Sequence, residues 1–137
     1  VRAVLDVNVL ISAALSARGP SAEILRKNRD GTFELAVSEL LIAELIRAVA
    51  YPTLRKRIPA EKAAAFISWV GDHGTLAEDP PDPAPVSSPD PDDDYLLALA
   101  ISQRAFLVTG DQHLLGLRED LPILTPREFV NKLRENG

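Results

Sequence analysis

Four short apolar runs punctuate the chain, and each leads into a polar or turn-forming residue. Ala3-Val4-Leu5 runs into Asp6, with Asn8 two residues on and a helix-like segment, Val9 to Leu15, behind it. A continuous run of this kind reads as a buried strand that delivers Asp6 to its carboxyl end. Phe33 to Val37 alternates into an apolar end, Phe106-Leu107-Val108-Thr109 ends in Gly110-Asp111, and Pro122-Ile123-Leu124-Thr125 precedes Pro126, which gives the other strands. Between them the spacing turns helical. Gly19-Pro20-Ser21 breaks the first helix before a second from about Ser21 to Asn28, and Asp30-Gly31 forms a turn. Ser38 stands in N-cap position for a helix from Glu39 to Ala50, which Pro52 closes. Pro59 and Ala60 open another, with Ala63, Ala64, Phe66, Ile67 and Val70 on its apolar face and Gly71 and Gly74 at its end. Asp92 or Asp93 caps a helix from Asp94 to Arg104, and Leu114-Leu115 makes a short helical turn. A terminal helix begins at Pro126, with Phe129, Val130 and Leu133 at helical spacing.

This alternation predicts a three-layer α/β/α domain around a mainly parallel central sheet of four or five strands. The segment from Glu78 to Pro91 stands apart, with six prolines in fourteen residues. It reads as an extended surface connection with at most a short strand near Val86. It is too short and too central to separate two domains, so residues 1–137 are expected to share one core, for which 46% apolar content is ample.

Composition narrows the chemistry. No apolar run approaches the ~18 residues of a membrane span, so no membrane association is expected. The first residues carry no basic segment or cleavage site, which leaves the cytoplasm as the expected compartment. The chain lacks cysteine, which excludes a disulfide framework, a thiolate nucleophile and a cysteine zinc site. Any metal must be held by oxygen ligands or by the two histidines. The net charge of −5 argues against a protein that coats nucleic acid, but the charge is unevenly spread. Residues 18 to 62 hold nine Lys or Arg against six acids, and residues 63 to 104 hold one Arg against eight. Such a split suits a phosphate backbone on one side and a divalent ion on the other, although solvated faces often look the same.

Four acidic positions stand out. Asp6 and Asp111 each follow an apolar strand, and sites in open α/β sheets form outside the carboxyl ends of strands. Glu44 falls within the apolar arc of its helix, beside Leu40, Leu41 and Ala48, so it points inward or to the rim. A charge there needs a cation, a proton or a metal, and an ion pair with Arg47 is the plain alternative. Asp90-Pro91-Asp92-Asp93-Asp94 packs four acids into a helix start, more than capping requires. An Asx turn would account for Asp111 alone. Together they have the composition of a site for Mg²⁺ or Mn²⁺, which take oxygen ligands and keep several waters. Carboxylates brought so close repel one another unless a divalent ion neutralises them.

The chain resembles the PIN-domain ribonucleases, in particular the small prokaryotic group similar to VapC toxins of toxin-antitoxin pairs. The resemblance runs over nearly the whole chain. It is carried by Leu5-Asp6-Val7-Asn8-Val9-Leu10, Ser38 through Glu44-Leu45, Asp90 to Asp94 with Leu97-Ala98-Leu99-Ala100, Val108-Thr109-Gly110-Asp111 with Leu114-Leu115, and Thr125-Pro126-Arg127-Glu128-Phe129. It implies Mg²⁺- or Mn²⁺-dependent hydrolysis of single-stranded RNA, with Asp6, Glu44, Asp93 and Asp111 as catalytic metal ligands. Asp93 is chosen because small residues, Ala98 and Ala100, stand five and seven positions after it, and Asp94 is the close alternative. Asn8, Ser38 and Thr109 would position water or ligands from behind. Val7 replaces the threonine or serine often found in the opening motif. The resemblance also implies a cognate antitoxin and a homodimer.

Neither His73 nor His113 fits a general-base position, so the nucleophile is expected to be water. Arg18, Arg26, Lys27 and Arg47 follow or flank the strand ends and are the candidates for the RNA backbone, with ordinary surface charge as the alternative for each. Two rival readings remain at the level of sequence. A haloacid-dehalogenase-like phosphatase would use Asp6 as nucleophile, but needs an acid where Asn8 stands. A non-catalytic RNA- or antitoxin-binding module on the same fold would not need the full set of acids.

Overall fold

Successive side chains of a strand point to opposite faces of its sheet, so consecutive buried residues require cover on both sides. That holds for the first strand, β1 (Arg2–Leu5), where Ala3, Val4 and Leu5 have no exposed surface. In this computed structural model, which describes residues 1–82 and 88–136, the same holds for Leu35, Ala36 and Val37 of β2 (Glu34–Val37). The sheet is completed by β3 (Thr75–Leu76), β4 (Phe106–Val108) and β5 (Ile123–Leu124). Its order is β3-β2-β1-β4-β5 and every pairing is parallel, as the three-layer α/β/α expectation required.

The helices are α1 (Val7–Leu15), α2 (Pro20–Arg29), α3 (Glu39–Val49), α4 (Pro52–Arg55), α5 (Ala60–His73), α6 (Asp94–Gln103), α7 (Gln112–Leu115) and α8 (Pro126–Asn136). Helix α6 packs on β1 and β4, α2 lies between α1 and α8, and α3 contacts α1 and α5. Phe129 of α8, wholly buried, meets Phe33 edge-on at 5.0 Å.

Several boundaries depart from the sequence expectation, each for a physical reason. Helix α1 starts two residues early, at Val7, because the Asp6 side chain itself accepts the N–H of Asn8 at 3.5 Å. Pro52 not only ends α3 but occupies the first turn of α4, where its missing N–H costs nothing. Gly71 lies inside α5, which runs on to His73. A single 3₁₀ turn, Pro91–Asp93, precedes α6, and Arg104 closes α6 in the left-handed conformation at φ 52°. The expected short strand near Val86 falls outside the described residues. The strand β3 was not foreseen: it is two exposed residues long and exists through its pairing with Ala36 and Val37. It depends on Gly74, since a Cβ there would stand 2.8 Å from the Val70 carbonyl oxygen and 2.9 Å from both Val37 methyls.

Candidate active site

The chain leaves β1 toward β2 on one side and β4 on the other, so the carboxyl ends of β1 and β4 border a topological switch point, where α/β sheets open a crevice. Asp6 sits there. Its backbone N–H donates to the Val108 carbonyl at 2.9 Å, which fixes the residue against β4. Thr109, completely buried just past β4, donates its hydroxyl to Asp6 Oδ2 at 2.7 Å and accepts the N–H of Asp111 at 3.0 Å. Asp111 in turn caps α7, accepting the His113 N–H at 2.8 Å.

Beside Asp6 a cleft of about 340 Å³ opens between α1, α3, α4 and the start of α6. Asp6, Asn8, Glu44, Asp90, Asp92 and Asp93 line it, with Tyr51, Tyr95 and the apolar side chains Val7, Ile11, Ala48, Leu54 and Leu96. Among these residues there is neither lysine nor arginine. The expected acids Asp6, Glu44 and Asp93 are therefore brought together in one cleft. Asp94 is turned away, its Oδ1 accepting the Ser88 N–H at 2.8 Å. Asp111 does not line the cleft, but its charge acts on both Asp6 and Asp93.

The electrostatics follow from that crowding. Burial pushes the Asp93 carboxyl up to about 6, and the charges of Asp6, Asp90, Asp111 and Asp92 add to it. Asp6 is also raised, by burial first and by Asp111 to a lesser degree, against the lowering effect of its bonds from Thr109 and the backbone. Tyr95 is raised by its burial and by the negative field of Glu44, Asp6, Asp93 and Asp79. Glu44 sits at the rim rather than in the core, and Arg47 reaches its carboxylate at 3.2 Å, the ion pair that the helical wheel left open. Among the described residues no three acids or histidines stand close enough to enclose a metal ion as they are.

The remaining expected residues divide. Asn8 is exposed at the cleft edge, and Thr109 holds Asp6 from behind. Ser38 is fully buried and uses its hydroxyl to cap α3 at the Leu41 N–H, 3.3 Å away. Of the basic candidates, Arg47 is the one beside the cleft. Arg18 is exposed in the turn after α1, and Arg26 donates to the Ala17 carbonyl at 2.9 Å. Arg26 lines a separate groove with Leu25, Arg29, Phe66 and Trp69, and Lys27 is half-buried on α2. Neither histidine lines the cleft, His73 being stacked on Trp69 at 4.0 Å. Sequence reasoning missed Tyr51 and Tyr95. A tyrosine next to an acidic run was the available signal for Tyr95, whereas Tyr51 lies outside every motif.

The chain is similar to known proteins in fold and in sequence. A solved structure, VapBC2 from Rickettsia felis bound to a DNA fragment from their promoter, matches in fold with a TM-score of 0.62 and 15% identity, over 90% of this chain and 97% of that one. An uncharacterized protein of Methanocaldococcus jannaschii is 25% identical, over 98% of this chain and 93% of its own length. A family model described as the PIN domain matches residues 2–113, which takes in β1 through the Asp111 turn and so every acid of the cleft. With that much of the sequence matched, the chain belongs to the PIN-domain family.

Proposed function

We propose that the protein is a divalent-metal-dependent endoribonuclease acting on single-stranded RNA, and the toxin of a toxin-antitoxin pair. The observation that carries the reading is the collection of Asp6, Glu44 and Asp93 in one cleft whose lining holds no Lys or Arg, with Arg47 pairing Glu44 from the rim and Asp111 adding its charge to the group. The donor set fits Mg²⁺ or Mn²⁺: it is all oxygen, it is mutually repulsive, and it lines the cleft without closing into a cage, which suits an ion that keeps much of its water. Asp6, Glu44, Asp93 and Asp111 would hold the ion, with Asp94 less well placed because Ser88 engages it. When bound, such an ion neutralises the acids and lowers the pKa of water at the scissile phosphate.

The chain's own residues have separable tasks. Thr109 and the Asn8 N–H fix the rotamer of Asp6, one bond to each carboxylate oxygen, and leave the remaining lone pairs of the carboxylate for the cleft. Asn8, exposed at the rim, offers both an amide donor and an acceptor to a substrate hydroxyl or water. Tyr51, 60% exposed at the cleft, gives an unpaired base a flat surface to stack on, which favours single strands over a duplex. Arg47, already bound to Glu44, supplies the nearest positive charge for a backbone phosphate. The toxin assignment rests on the resemblance to VapC toxins and on the fold likeness to VapBC2. By the same reasoning an antitoxin would cover the acidic cleft, and the domain would pair as a homodimer in the cytoplasm. Among the described residues no helix is long and apolar enough to cross a membrane.

The test is cleavage of single-stranded RNA, duplex RNA and single-stranded DNA with Mg²⁺, with Mn²⁺ and with a chelator. Metal-dependent cutting of the single-stranded RNA that disappears in Asp6→Asn is the expected result. RNA binding without cleavage under any of these metals would leave a binding module instead. A phosphorylated Asp6 during turnover of a phosphomonoester would point to phosphatase chemistry.

A further inference from the structure

On the far side of Asn8 from the acidic cleft lies a second, smaller groove of about 170 Å³, lined by Asn8, Val9, Ser12, Ser21, Gly110 and Pro126. It contains no acid. Two features give it a chemical character. Helix α2, ten residues long, begins here behind Gly19, which has no side chain with which to cap it. The Glu23 N–H turns back to the Gly19 carbonyl at 3.2 Å, whereas the N–H groups of Ser21 and Ala22 have no acceptor among the described residues at the positive end of the helix. The second feature is Ser21 itself, which is 7% exposed, lines the groove, and makes no side-chain hydrogen bond with another described residue. The acids in the first turns of the two adjoining helices are already engaged. Glu23 is held by Arg134 at 3.0 Å, and Glu128 is bound to Arg118 and to the Thr125 N–H.

We propose that this groove is a subsite for one backbone phosphate of the substrate strand, adjoining the phosphate that is cut. Its donors are the Ser21 N–H and the Ser12 and Ser21 hydroxyls, with Asn8 standing between it and the acidic cleft. The inference rests on the nuclease reading and adds a direction to it: the strand crosses Asn8, with one phosphate over the acids and the next at the start of α2. An anion is favoured at this groove by unsatisfied backbone donors, whereas the cleft itself admits a phosphate only together with a cation.

The experiment uses a labelled single-stranded RNA oligonucleotide and a series in which successive phosphates are replaced by neutral methylphosphonates. Affinity is measured by anisotropy in the Asp6→Asn background with Mg²⁺, and cleavage is followed in the otherwise wild-type chain. Neutralising one phosphate beside the cleavage site is expected to weaken binding about tenfold, and by only about threefold once Ser21→Ala has removed the hydroxyl and left the backbone donor in place. Ser21→Asp, which sets a carboxylate on the same N–H groups, is expected to weaken RNA binding further while its melting temperature stays at or above that of the parent. Ser21→Ala binding every oligonucleotide as the parent does, or Ser21→Asp losing affinity only in proportion to lost stability, would overturn the proposal. Absence of cleavage by the wild-type chain would count against the nuclease reading alone, because the binding measurements report the subsite separately.

Discussion

The bond from Thr109 to Asp6 joins two residues 103 positions apart, and it decides what the first acid of the site can do. Replacing Thr109 with valine keeps the shape and deletes the donor, so Asp6 loses its orientation and one influence that lowers its pKa. We expect RNA cleavage by Thr109→Val to fall by roughly 10- to 100-fold, with the acid limb of its pH profile moved upward and with Thr109→Ser largely restoring both. Asp93 makes a prediction about stability. Its carboxyl is raised from 3.8 to about 6, so the folded, metal-free protein holds that proton more tightly than the unfolded chain does. The resulting stability is fully present below about pH 4 and is lost as the pH rises through about 6. Asp93→Asn should therefore raise the melting temperature of the metal-free protein at pH 7.5 by a few degrees, on the order of 1 kcal/mol after solvent screening, with the gain vanishing near pH 4. Melting curves of both proteins across that range check the sign. At this scale the sequence was most legible where an acid directly follows an apolar strand, as at Asp6, because burial then marks the position, whereas Asp111 is half-buried and stays outside the cleft. Tyr51 carries no such mark: it reaches the cleft from the junction between α3 and α4, where it stands as the residue before α4.

Elements were legible in proportion to how far their own residues dictate them. Helix α3 announces itself through Ser38, whose side chain does cap it, and β4 through an apolar run that ends in Thr109 and a glycine turn. Strand β3 could not be found this way, since Thr75 and Leu76 are both exposed and have neither alternation nor an apolar run. Its position is fixed by α5 ending at Gly74, close against Val37. Gly74→Ala tests this directly. The added methyl meets the Val70 carbonyl and the Val37 side chain below 3.0 Å, and we expect a loss of about 1–3 kcal/mol in denaturant unfolding, the usual cost of overpacking. RNA cleavage per folded molecule should be largely unchanged, because neither Gly74 nor the Val70 and Val37 groups it would press on line the acidic cleft.

For the whole molecule, the crowded acids couple ion binding to stability. A divalent ion that binds only the folded chain adds about 2.7 kcal/mol when present at about a hundred times its dissociation constant. Titrating Mn²⁺ or Mg²⁺ should raise the melting temperature of the wild type and do so much less for Asp6→Asn. Equal shifts in the two proteins would move the ion away from Asp6. Three-layer architecture and parallel pairing were readable from alternation alone, whereas the strand order was not, because nothing local records which neighbour β1 takes on its second side. That order has a consequence in time. The central strand β1 pairs with β2 after a separation of about thirty residues, but with β4 only after Ala3 meets Phe106. During synthesis the second edge of β1 stays open until β4 emerges, about a hundred residues later, and Asp6 lacks its hydroxyl partner for the same interval. A nascent chain thus remains without its organised acidic cleft until β4 and Thr109 have emerged.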